Sequence, residues 1–332
     1  MRWTRSRIAA LSAVLSLTAC IFGGLDFVAH AQPGPPNHPP HWNEQIVATK
    51  KIDIGGATIQ VDFAAGQLDL SQDQILPWVQ RAAQAVTVYF GKFPIPRARV
   101  LIVPDPGERG IMQGTTWGDM HGFPGFTRIR LGQHSTESDL AEDWTMTHEL
   151  THMAFPSMPD EQHWMEEGMA TYVEPIARVQ AGELKAKQVW RDMIDGMPKG
   201  EPAPGDQGMD RTHTWGRTYW GGALFCLVAD VNIRRQTKNR KGLQDAFRAI
   251  IAAGGTIDND WALMQALQLG DKATGTNVLT EMYKQWSNSP SPVDLPKLWD
   301  ELGVHRSSDG IALDPKAPLI QVRESIMMRM RQ

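Results

Sequence analysis

Apolar and polar residues alternate from Lys51 to Phe63 about the pair Gly55-Gly56, so two strands joined by a tight turn are predicted there. From Ile75 to Phe90 the apolar positions recur at helical spacing, which predicts a helix with Pro77 in its first turn. Arg99–Val103 is a short apolar strand. The Gly-rich, aromatic run Gly114–Phe126 has no period and reads as a loop leading into an alternating strand, Thr127–Leu131. From about Asp139 helical spacing returns. Leu140 and Trp144 lie four apart, Ser135 and Ser138 are N-cap candidates, and Asp139 and Glu142 occupy the acid-favoured first turn. Pro156 ends that helix, because a residue before proline is pushed out of helical geometry. Trp164–Glu174 is a second helix with Trp164, Met165, Met169, Tyr172 and Val173 on its apolar face. The rest is mostly helical: Glu183–Asp195 stopped by Gly196, then, after a Pro/Gly loop, Tyr219–Arg235, Leu243–Ala253 and shorter pieces to Leu302, with no internal repeat.

The start of the chain differs from this pattern. Arg2, Arg5 and Arg7 precede the apolar run Ile8–Leu17, the arrangement of an export signal. Two exits compete: the small-x-small sequence Ala29-His30-Ala31, and Leu17-Thr18-Ala19-Cys20, which resembles a bacterial lipobox and would make Cys20 a lipid-bearing terminus. An uncleaved membrane anchor is a weaker third option. Prolines 33, 35, 36, 39 and 40 make residues 32–47 an extended tether, in which His38 and His41 are read as solvated. Export therefore predicts an extracytoplasmic protein: periplasmic, secreted or lipid-anchored.

Composition narrows the chemistry. The net charge of −4 becomes more negative once residues 1–31 are removed, so no basic surface for nucleic acid is expected. Only Cys226 then remains, which excludes an intrachain disulfide and any thiolate metal site.

The residues that carry chemistry are His148-Glu149-Leu150-Thr151-His152. Histidines at i and i+4 share one helix face, so their imidazoles can converge on one metal ion. Glu149 flanks that face, where a carboxylate can handle the protons of a metal-bound water. A catalytic zinc takes three protein ligands and keeps one open position. The chain between His152 and the acids of Trp164–Glu174 is long enough for a turn and a return helix.

The Glu167-Gly168 dipeptide, followed by small and aromatic residues and a later acid, resembles the third-ligand helix of the gluzincins, in particular the aminopeptidase N and glycyl aminopeptidase groups. The resemblance covers roughly residues 110–250. It implies Glu167 as the third ligand, with Glu166 facing solvent and Glu174 a candidate for support behind the ligands. It also implies that Tyr219, in Thr218-Tyr219-Trp220-Gly221-Gly222, places a phenol over the metal. The implied fold is α+β and thermolysin-like. A β-rich N-terminal lobe (about 48–155) and a mostly helical C-terminal lobe (156–332) would flank the zinc site. The chain departs from the family at Gly118-Asp119-Met120-His121-Gly122. Aminopeptidases of this type carry a Gly-x-Met-Glu-like segment whose Glu holds the substrate's amine. Here His121 takes that place, with Asp119 as the neighbouring carboxylate.

The expectation is an exported metallopeptidase with one Zn2+ per chain on His148, His152 and Glu167. Glu149 is its base and Tyr219 its oxyanion donor. A peptide or protein substrate would pair with the strand near Ile129 and contact Asp119 or His121. The alternatives are a catalytically silent envelope binding protein of the same fold, and a zinc hydrolase acting on a non-peptide substrate.

Overall fold

The computed structural model of the protein describes residues 44–308 and 310–329. The proposed export signal, the Cys20 lipobox and nearly all of the tether lie outside the described residues. The tether as drawn to residue 47 ends too late, because Glu44 already pairs with Arg128 at 2.8 Å and strand β1 begins at Ile46.

Five strands form one sheet: β1 (Ile46–Ile54), β2 (Ala57–Ala64), β3 (Arg97–Asp105), β4 (Ile111–Met120) and β5 (Phe123–Gly132), in the order β1-β2-β3-β5-β4. The outer pairs are antiparallel, while β2/β3 and β3/β5 are parallel. Gly55 and Gly56 both adopt positive φ, 58° and 83°, which gives the hairpin turn that the right-handed twist of β1 and β2 favours. The aperiodic run expected as a loop is instead β4 and the start of β5. His121 and Gly122, with φ 52° and 78°, form the two-residue turn between them. The alternation was hidden there because β4 is an edge strand with no buried row of large apolar side chains.

The helices are α1 (Gln72–Phe90), α2 (Glu137–Glu142), α3 (Thr145–His152), α4 (His163–Ala181), α5 (Ala186–Gly196), α6 (Gly222–Gln236), α7 (Leu243–Ala252), α8 (Leu263–Thr274), α9 (Val278–Trp286), α10 (Leu295–Leu302) and α11 (Ile320–Met327). A two-stranded ribbon, β6 (Val304–Ser307) with β7 (Gly310–Leu313), precedes α11. The architecture is α+β, with the strands of the main sheet gathered before residue 133 and the helices mostly after it.

One face of the sheet buries Ile59, Val61, Val100, Ile102 and Ile129 in a core shared with Ile75, Val79, Ala83 and Val86 of α1 and Leu150 of α3. The other face carries a smaller cluster of Ala64, Leu101, Met120 and Phe126. Helix α1 starts earlier than the periodicity suggested, with the Ser71 N–H donating to the Gln74 side chain at 3.0 Å, so Pro77 lies beyond its first turn. The single helix expected from Asp139 is two helices. Asp143 leaves helical geometry (ψ 138°), and its carboxylate accepts from Thr145 N (2.9 Å) and Met146 N (3.0 Å), capping α3. Pro175 does not end α4, which runs on to Ala181 and stops at Gly182 in the left-handed conformation.

Candidate metal centre

Helices α3 and α4 place the donors. His148 and His152 are one turn apart on α3, and Glu167 follows one turn into α4, where the chain has doubled back. One donor atom from each of the three lies within 4.8 Å of the others. Glu167 Oε2 stands 3.1 Å from His148 Nε2 and 3.6 Å from His152 Nε2. His148 and Glu167 are buried. Burial would raise the Glu167 carboxyl, but the three imidazoles of His152, His148 and His163 hold it well below the ordinary carboxylate range. Burial pulls His152 down to about 3, so at neutral pH the ring is neutral and keeps one nitrogen lone pair to offer a metal. Two imidazole nitrogens and one carboxylate oxygen, with no thiolate, are a donor set that fits Zn2+ with a position left open.

Glu149 projects from the same turn of α3 toward the sheet. The Thr116 hydroxyl, on β4, donates to Glu149 Oε2 at 2.7 Å and lies 3.1 Å from the Glu149 carbonyl oxygen. Gly114, two residues earlier on β4, leaves the room that Glu149 needs. A Cβ there would stand 2.7 Å from Glu149 Cγ and 2.9 Å from Oε1. Burial raises the Glu149 carboxyl to about 7, offset in part by His148 and reinforced by Glu167.

Tyr219 comes from the other side. It sits in a single π-helical turn, Gly216–Gly221, that leads into α6. Such turns bulge the backbone and re-aim a side chain. Arg217 pins the turn: its Nε lies 2.8 Å from Asp206 Oδ2, both side chains being buried, and its Nη1 donates to the Gly200 carbonyl. The Tyr219 ring stacks near His148 (centroids 6.4 Å, planes 27° apart) and on Trp215 (6.0 Å). Burial, then the charges of Glu167 and Glu149 and a hydrogen bond to Glu167, push its phenol well above the ordinary tyrosine range, so it stays a proton donor.

The remaining predicted residues are placed differently. Glu174 is buried and tied to Arg178 at 2.9 Å, with its charge felt at His148. Glu166 does not face solvent freely; it is half-buried against His163 and Met158 N. Ile129 cannot offer a substrate its strand edge, because it is fully buried and β5 is paired on both sides, with β3 and β4. The edge beside Glu149 belongs to β4. Asp119 and His121 are exposed near the tip of the β4–β5 hairpin. At about 3.3 Å per residue they are roughly 10 and 17 Å along the strand from Thr116, which holds Glu149. Four residues at the site were not anticipated: Thr116, His163, Trp215, and Trp144, whose ring meets His148 edge-on at 5.3 Å. His163 had a readable signal, since it lies one helical turn before Glu167. Thr116 had none once its strand was taken for a loop.

No family model matches the chain, and no curated protein matches it. Solved structures do. An aminopeptidase N family protein from Idiomarina loihiensis superposes with a TM-score of 0.55 at 14% identity, over 77% of this chain and 49% of that one. An M1 zinc metallopeptidase from Deinococcus radiodurans gives 0.47 at 15% identity, over 75% and 52%. The chain thus spans about half the length of the structures it matches. The likeness shows the fold, which is like that of the aminopeptidase N family protein.

Proposed function

We propose that this protein is a zinc-dependent metallopeptidase of gluzincin type, thermolysin-like in having its site between a sheet lobe and a helical lobe. One observation carries the reading: His148, His152 and Glu167 converge within 4.8 Å, with Glu149, held by Thr116, and the Tyr219 ring, stacked near His148, beside them. A zinc ion held by those three would polarise a substrate carbonyl and lower the pKa of its water to about 7.

The chain's own groups supply the rest. Glu149, raised to about 7, accepts the proton of the attacking water and passes it to the leaving amine. Thr116 holds Oε2 of that carboxylate, and bare Gly114 leaves Oε1 unobstructed for the transfer. Tyr219 donates its hydroxyl proton to the oxyanion as the carbonyl becomes tetrahedral. β4, at the end of the sheet order, offers an extended peptide a backbone edge to pair with. The basic and then apolar start of the chain supports export, with lipid attachment at Cys20 as the alternative to cleavage after Ala31.

The test is hydrolysis of a peptide library, with free and blocked N-termini, by the purified protein and by Glu149→Gln. The variant should keep its zinc and its fold and lose roughly 10²–10⁴-fold in turnover, because an amide cannot accept the proton. Near-normal turnover in that variant overturns the proposal, and the two sets of ends decide between exo- and endopeptidase action.

A further inference from the structure

His163 opens α4 one turn before Glu167, so its ring falls on the same helix face as the carboxylate. Its Nε2 stands 3.2 Å from Glu167 Oε1, and its Nδ1 3.0 Å from Glu166 Oε2. Glu166 is held in turn, its Oε1 accepting the Met158 N–H at 3.3 Å. Carboxylates only accept, so the ring donates to both acids. The row runs from the Met158 backbone through Glu166, His163 and Glu167 to the imidazoles of His148 and His152.

The effect on Glu167 is geometric. A glutamate has three torsions and two equivalent oxygens, and left alone it can offer a metal either oxygen or both. Here Oε1 is already occupied by His163, and the oxygen turned to His148 and His152 is Oε2, at 3.1 and 3.6 Å. We infer that His163 is a positioning residue, which holds Glu167 so that one oxygen alone faces a zinc ion, and that Glu166 sets the His163 ring. This rests on the zinc reading above. Groups behind a metal ligand of this kind change metal affinity by roughly 10–100-fold when they are removed.

The experiment measures zinc dissociation constants by chelator competition, and the visible spectrum of the Co2+-loaded form, for the full chain and its His163→Ala, His163→Gln, Glu166→Gln and Glu167→Gln variants. His163→Ala should bind zinc roughly 10–100-fold more weakly. Its Co2+ spectrum should change, as the freed carboxylate binds through either or both oxygens. His163→Gln, which keeps an N–H donor, should recover part of the affinity. Glu166→Gln should fall between wild type and His163→Ala, and it decides the matter if His163→Ala does not fold. Wild-type affinity with an unchanged spectrum in both His163→Ala and Glu166→Gln overturns the positioning role while leaving the zinc reading standing. A wild-type chain that takes up no zinc, or a Glu167→Gln variant that binds as wild type does, overturns the zinc reading and this inference with it.

Discussion

Gly168 on α4 and Gly222 at the head of α6 touch backbone to backbone. A Cβ on Gly168 would stand 2.2 Å from Gly222 Cα, and one on Gly222 would stand 2.2 Å from the Trp164 carbonyl oxygen. Glu167 immediately precedes one side of that contact, and Tyr219 lies three residues before the other. The bare crossing brings the phenol within reach of the carboxylate.

Gly168→Ala and Gly222→Ala should each push α4 and α6 apart. Overpacking of this kind costs about 1–3 kcal/mol, which urea denaturation measures. Both variants should keep zinc, whose proposed ligands lie on α3 and α4 alone, yet lose turnover as Tyr219 is carried away. Full turnover in both would mean that the crossing does not set the position of the phenol.

Tyr219→Phe isolates the hydroxyl. On the proposed mechanism that group bonds the developing oxyanion and hardly the bound substrate, so kcat should fall roughly 10²–10³-fold with little change in KM. The stacked ring remains, so the melting temperature should hold. A fall in stability with kcat unchanged would make Tyr219 a packing residue only.

Asp143 joins α1 to the start of α3: besides the two N–H groups it caps, it accepts the Trp78 indole N–H at 2.9 Å. Asp143→Ala removes the cap, worth about 0.5–2 kcal/mol, and strands a buried indole donor for about 1–3 kcal/mol more. The loss should exceed 1 kcal/mol in chemical denaturation, with zinc binding weakened because the His148 turn frays. Stability within error of wild type would show that α3 needs no such anchor.

Glu174 carries a pH dependence of stability. Burial raises it from 4.5 to about 7 in spite of Arg178, so the folded chain binds this proton more tightly than the unfolded chain. Its contribution is complete below about 4.5 and is lost as pH rises through about 7. Against Glu174→Gln, which does not titrate, the wild type should lose relative stability across that window and neither above nor below it. Denaturation midpoints taken from pH 4 to 8 that shift in parallel for the two proteins would rule this out.

The parts legible in the sequence were those set by local periodicity and local chemistry. The Gly55-Gly56 hairpin, the helical spacing of α1 and α4, and the His148/His152 pair need only residues within a turn of one another. The hairpin β4–β5 was missed because an edge strand rich in Gly and Thr carries no apolar alternation, and its register comes from pairing across β5. With that strand went Thr116, and the edge expected near Ile129 proves to be an interior strand. The breaks were misjudged for a related reason. Asp143 interrupts a helix that spacing alone would continue, while Pro175 fails to interrupt one that the packing of α4 holds together. Glu174 then falls inside that helix, paired with Arg178.

On the proposed mechanism, the hydroxyl of Thr116 makes the outer strand and the proton acceptor one mechanical unit. A chain that pairs along β4 and shifts Thr116 by a few tenths of an ångström alters the hydrogen bond that stabilises the Glu149 anion, and with it the carboxylate's proton affinity. Linkage makes the effect reciprocal: whatever protonates or deprotonates Glu149 changes how tightly the strand's partner is held, by the same factor. Occupancy of the edge and readiness of the base are therefore two readings of a single equilibrium.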